Sequence, residues 1–92
     1  MRKIEQEMVE AIRDGRNWRS GNTSVSFGPQ ALGKGQVSLH GNTIALIMQE
    51  GFRPDIKTFR RFPTATTASR LRALGIDARI IGGRATINGK YI

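Results

Sequence analysis

The sequence predicts an α+β domain: a mostly antiparallel sheet of four to six short strands with two helices, at about residues 2–14 and 65–74. Three observations carry this. Two segments place apolar residues at helical spacing, and the stretches between and after them alternate apolar with polar. The alternating runs are joined by short Gly-containing turns, which suit antiparallel neighbours rather than parallel crossovers. Helices packed on one face or at one end of such a sheet complete the architecture.

The first helix is expected from about Arg2 to Asp14. Ile4, Met8, Ala11 and Ile12 recur at steps of three and four and share a face. Glu5, Glu7 and Glu10 lie mostly toward the N-terminal half and Arg13 toward the other end, in accord with the helix dipole. Gly15 is a natural stop. The stretch from Arg16 to Asn22 is polar apart from Trp18. Thr23, Val25 and Phe27 then alternate with Ser24 and Ser26, as in a half-buried strand. Gly28-Pro29 ends it, and Gly33-Lys34-Gly35 reads as a mobile loop.

Val37 and Leu39 mark a second strand. Gly41-Asn42 reads as a two-residue hairpin turn, type II′ or I′. The third strand, about Thr43 to Gln49, places Ile44, Leu46 and Met48 on one face and Ala45 and Ile47 on the other, so it is expected to be central and covered on both sides. Pro54 prevents a regular central strand around it. Ile56 to Arg60 reads as a fourth strand. The second helix follows Pro63, capped by Thr64 or Thr66, with Ala68, Leu71 and Leu74 at three-residue steps and Gly75 as its end. On it, Arg70 and Arg72 are expected to project away from the Leu71 side. Ala78–Ile81, Gly82-Gly83 and Arg84–Ile87 read as a hairpin, followed by an Asn88-Gly89 turn and a short tail.

At 92 residues the chain is expected to make one domain with a modest core. It has no cysteine, which excludes disulfides, thiolate nucleophiles and Cys-based zinc sites, and fits a reducing cytosol. The longest apolar run, Ile44 to Met48, falls far short of the ~20 residues of a membrane span, and no signal peptide is expected.

No catalytic, cofactor or metal site is expected. His40 is the lone histidine, beside a turn, and a metal centre needs three or four ligands. Asp14, Glu50, Asp55 and Asp77 fall at element ends, where capping and solvation account for them. The Ser and Thr of 64–69 lack a neighbouring base and read as helix-capping residues. Gly28 to Gly35 lacks the phosphate-loop spacing and its following Ser or Thr.

Charge is the informative feature. Lys and Arg number 15 against 7 Asp and Glu, giving +8. Such an excess attracts polyanions or acidic protein surfaces, while its self-repulsion works against compactness. The first 14 residues are slightly acidic, so the cationic surface is expected on the sheet and second helix. The candidate binding residues are Arg53, Lys57, Arg60, Arg61, Arg70 and Arg72; no acidic residue lies between 57 and 72. Arginine predominates among the cations, and its planar fork can grip phosphate or carboxylate in two places. Phe59 and Phe62 interleave the basic run, and Trp18 lies between Arg16 and Arg19, a pattern found in single-strand binding. The plainer alternatives are that both phenylalanines are core and that the cations form a solvated face. The aromatic signature strands of an RNA-recognition motif are absent, and two helices separated by strands do not make a helix-turn-helix.

Gly21 to Val25, Val37 to Ala45 and Pro63 to Gly75 resemble a pattern in small proteins of tailed bacteriophages. Within that set, the length and overall sequence resemble the phage anti-CRISPR proteins that act on the type I-F system. The resemblance implies a non-enzymatic, stoichiometric inhibitor in the cytoplasm of an infected host, docking on the RNA-guided surveillance complex and blocking target-DNA hybridisation. Many such proteins are acidic DNA mimics. A basic member would instead contact guide RNA or acidic subunit surfaces. The family shares no motif, so no residue role carries over. The alternative is a general phage protein that binds single-stranded DNA or RNA.

Overall fold

A computed structural model describes residues 1–28 and 34–92. Most of the Gly-rich segment read as a loop lies outside the described residues. The architecture is α+β, with three helices and eight strands in two antiparallel sheets among the described residues. α1 (Lys3–Arg13) is followed by β1 (Trp18–Ser20), β2 (Thr23–Phe27), β3 (Gly35–Leu39), β4 (Asn42–Met48) and β5 (Gly51–Pro54). α2 (Ile56–Arg61) and α3 (Ala65–Ala73) precede β6 (Ala78–Ile81), β7 (Arg84–Ile87) and β8 (Lys90–Tyr91). The larger sheet runs β1-β2-β3-β4-β5 and the smaller β6-β7-β8, both in sequence order.

Three hairpins turn through two residues with positive φ, as type I′ geometry requires. They are His40-Gly41 (52° and 80°), Gly82-Gly83 (60° and 77°) and Asn88-Gly89 (54° and 79°). The first stands one residue earlier than the sequence suggested. Asn42 already belongs to β4, opposite Leu39, and His40 takes the left-handed position.

Register sorts the larger sheet into two unlike faces. Val25, Val37 and Ala45 align across β2, β3 and β4 and join the core with Met8, Phe59 and Leu71 from the three helices. On the other face, Arg19 aligns with Ser24 and Ser38, while Gln36 aligns with Leu46 and Arg53. β4 is therefore central but not covered on both sides: Leu46 is half-buried and Met48 exposed. A β-bulge explains the double apolar pattern. Val37 pairs with Ala45 but Ser38 with Thr43, so Ile44 has no partner across the strand. Ile44 and Ala45 are both buried as a result. The Ile44 carbonyl instead accepts the Asp55 N–H at 2.8 Å, which ties the bulge to the start of α2.

α2 and α3 contact both sheets, through β4 on one side and through β7 and β6 on the other. α1 packs on β1, β2 and α3. One hydrophobic cluster runs from Val25 and Val37 through Phe59 and Leu71 to Ala78 and Ala85.

Three elements differ from the sequence reading. Residues 56–61 form a helix, not a strand: Asp55 caps it, its carboxylate accepting the Thr58 N–H at 3.0 Å. Trp18–Ser20 is an edge strand within the polar stretch, and Trp18 packs against the core rather than standing between Arg16 and Arg19. Gly51–Pro54 is the opposite edge strand, a place where proline is tolerated.

At Gly35, where β3 passes beneath Phe27, a Cβ would stand 2.8 Å from both Phe27 Cδ1 and the Ser26 carbonyl oxygen. Gly35→Ala is expected to cost about 1–3 kcal/mol, as overpacking does. In a thermal melt that is a fall of roughly 4–8 °C per kcal/mol. An unchanged melting temperature would show that the Phe27 ring and the β2 backbone at Ser26 both give way freely.

Candidate nucleic-acid interface

The six candidate cations separate into three environments. Arg53, Lys57, Arg60 and Arg61 are exposed and lie within the segment 53–61. Arg53 stands on β5, at the edge of the sheet, opposite Leu46. The other three belong to α2. At 100° per residue, positions 57, 60 and 61 fall within one arc of the helix and position 59 lies roughly opposite. Phe59 is wholly buried, so its burial turns the three cations outward.

The segment holds one carboxylate, Asp55, which is engaged as the N-cap of α2. Arg60 and Arg61 occupy the last turn, where the helix dipole favours positive charge. Among the described residues, the ion pairs involve Arg13, Arg16, Arg70 and Arg79, none of them in this segment. Phe62, which ends α2, is 40% exposed, and the Arg61 guanidinium lies 5.3 Å from its ring centroid. The two aromatic residues of the basic run thus divide: Phe59 is core and Phe62 is surface.

Arg70 is corrected. It is only 4% exposed and points into the protein. One terminal nitrogen, Nη1, donates to Glu5 Oε2 at 2.7 Å, and Nε donates to Thr23 Oγ1 at 3.1 Å. The Ser69 hydroxyl donates to the same Glu5 oxygen at 2.5 Å, and Thr23 donates onward to Asn22 Oδ1. Burial pushes the Glu5 carboxyl up, but the hydrogen bonds from Ser69 and Arg70 and the guanidinium charge outweigh it, holding the group below its ordinary value. Position 70 lies three residues beyond Thr67 and four before Leu74, both buried, so the apolar stripe of α3 is wide enough to enclose it. A guanidinium with this set of partners is a structural cross-link between α1, α3 and β2.

Arg72 is exposed but stands elsewhere. Its Nη1 donates to the Ala78 carbonyl at 2.8 Å, and it lines a shallow 570 Å³ concavity with Arg79 between α3 and β6. Arg84 was not among the candidates, yet it stacks over the half-exposed Tyr91 at 4.2 Å. The signal for that pair is their proximity across the Asn88-Gly89 turn.

Among the described residues, no group of three or more His, Cys, Asp or Glu is placed to hold a metal ion. Among the same residues, no helix is long and apolar enough to cross a membrane.

These features define a small α+β protein with four exposed cations, none of them in an ion pair among the described residues, on one edge strand and the short helix after it. The chain belongs to the Kyanoviridae Gp96 protein family, whose model matches residues 1–90, and is therefore a small protein of a tailed phage. No curated protein and no solved structure matches it.

Proposed function

We propose that this phage protein is a non-enzymatic nucleic-acid-binding protein that grips a phosphate backbone with the cations of β5 and α2. The observation that carries this reading is the exposed set Arg53, Lys57, Arg60 and Arg61, whose one neighbouring carboxylate is engaged as a helix cap. Three arginines in the set offer bidentate contacts to phosphate oxygens. The exposed Phe62 beside Arg61 favours single strands, because a ring face stacks on an unpaired base.

Counterion release gives the test a magnitude. On single strands log K falls by about 0.7 per neutralised phosphate for each tenfold rise in salt. Four contacts give a slope near 3, or roughly a 50-fold loss of affinity between 50 and 200 mM salt. Fluorescence anisotropy with a labelled single-stranded 12-mer measures it. A flat salt response, or no binding at low salt, would defeat the reading.

A narrower form of the proposal makes the nucleic acid the guide RNA of a type I-F surveillance complex, with hybridisation of target DNA blocked. It is supported by the sequence resemblance and by the basic segment, now without Arg70 and Arg72. Comigration with the assembled complex on size exclusion at moderate salt is expected. Binding of naked strands without comigration would leave the general reading standing and remove this one.

A further inference from the structure

A concavity of 280 Å³ lies where the β3–β4 hairpin tip meets the end of α2 and the start of α3. Leu39 and Ile44 supply apolar surface, Phe62 an aromatic wall, and His40, Asn42 and Thr66 polar groups. No Lys, Arg, Asp or Glu is among its lining residues. Its volume is just below the roughly 300 Å³ at which pockets for drug-sized molecules begin. A single planar ring system is the matching size.

We propose that this pocket takes one unstacked nucleobase of a single-stranded nucleic acid. The inference rests on the nucleic-acid reading and adds what the strand presents besides phosphate. A base is apolar on its faces and carries neutral donors and acceptors on its edge. The pocket offers the complement: an aromatic wall and aliphatic surface for the faces, and groups that both donate and accept for the edge. Asn42 can give two N–H bonds and accept at its carbonyl; the Thr66 hydroxyl and the His40 ring each do both. Charge sits just outside. Arg61 lies over Phe62, and Arg60 precedes it on the same helix turn, so a phosphate joined to the seated base would meet guanidinium. An acidic ligand inside the pocket would find no Lys or Arg among its lining residues, and an aliphatic one would leave the polar rim unpaired.

The test compares a single-stranded 12-mer of thymidine and an abasic 12-mer of the same backbone, by anisotropy at fixed salt. Further 12-mers of each other base cover selectivity. The wild-type protein is expected to prefer at least one base-bearing strand over the abasic one by about five- to 150-fold, the range for one stacked base. Phe62→Ala and Asn42→Ala are each expected to reduce that preference, and Asn42→Ala to do so while leaving abasic affinity and the salt slope unchanged. Asn42 is exposed, so its variant serves where loss of Phe62 disturbs the α2–α3 junction. Equal affinity for every base-bearing strand and the abasic strand, or a preference intact in both variants, overturns the pocket while leaving the cationic segment standing. If no strand binds even at low salt, the phosphate reading fails separately. The pocket is then judged by titrating free nucleosides against ¹⁵N-labelled protein: shifts at the Asn42 side-chain amide support it, and none with any of the four nucleosides overturns it.

Discussion

Arg70→Met is expected to lower folding stability by about 3–5 kcal/mol, although it removes one positive charge from a protein with a large excess of them. Removing one partner of a buried pair leaves the other ionised and undercompensated, which typically costs that much. Here the abandoned group is Glu5, 3% exposed, left with Ser69 as its remaining side-chain donor. Thr23 loses its donor as well. The loss is a large fraction of the 5–15 kcal/mol that holds a typical domain folded. Urea denaturation at pH 7 measures it. The double variant Glu5→Leu/Arg70→Met should recover much of the loss, because replacing both charges by apolar groups is often close to neutral. A midpoint unmoved by Arg70→Met would show that the pair contributes nothing net.

The same pair has a pH signature. The folded-state carboxyl of Glu5 is held below its ordinary value of 4.5. Its contribution to stability is therefore complete above that value and is lost as pH falls through the lower, folded one. Glu5→Gln should lack this part of the acid-side decline while starting from a less stable protein at pH 7.

Arg60→Ala/Arg61→Ala is expected to do the reverse: little to stability and much to binding. Both side chains are exposed, and what they give the fold is a helix-end dipole interaction and one surface cation–π contact, each worth about 0.3–1 kcal/mol. Removing two phosphate contacts should lower the slope of log K against log salt by about 1.4 on single strands. Affinity at 50 mM salt should fall at least tenfold, equally across sequences. Arg72→Ala is the control. Its guanidinium is engaged at the Ala78 carbonyl, away from the segment 53–61, so the slope should not change. Equal effects of the two variants would mean that the excess charge acts as a diffuse cloud, with no defined interface.

The sequence made the long amphipathic pieces plain and hid the short ones. α1 and α3 carry enough turns for a 3.6-residue period, and both stand within a residue or two of their expected limits. α2 has six residues, too few to repeat a period. The alternation of Ile56, Lys57, Thr58 and Phe59 imitated a strand, and the deciding group was the Asp55 cap. β1 and β5 are edge strands of three and four residues with an arginine facing out, so neither shows a continuous apolar run. The site was legible in proportion to its locality. Arg53, Lys57, Arg60 and Arg61 lie close along the chain and do share a surface segment. Arg70 was misassigned because its partner lies 65 residues away, and nothing in the local pattern marks one particular glutamate as its counterpart. The pocket at Phe62 joins two distant segments, 39–44 and 58–67, and left no local trace.

Both sheets are meanders, each strand lying beside its neighbour in the chain. Apart from β2–β3, each hairpin closes over two residues, so little chain entropy must be surrendered before contacts reward it. α1 is the exception, since its tie to α3 spans most of the polypeptide. Assembly thus has two unequal parts: ribbons that zip up by themselves, and one long reach that brings the beginning of the chain back onto its later half. The buried carboxylate and guanidinium meet only when that reach is complete, so they act as a latch on the finished molecule rather than as a guide along the way.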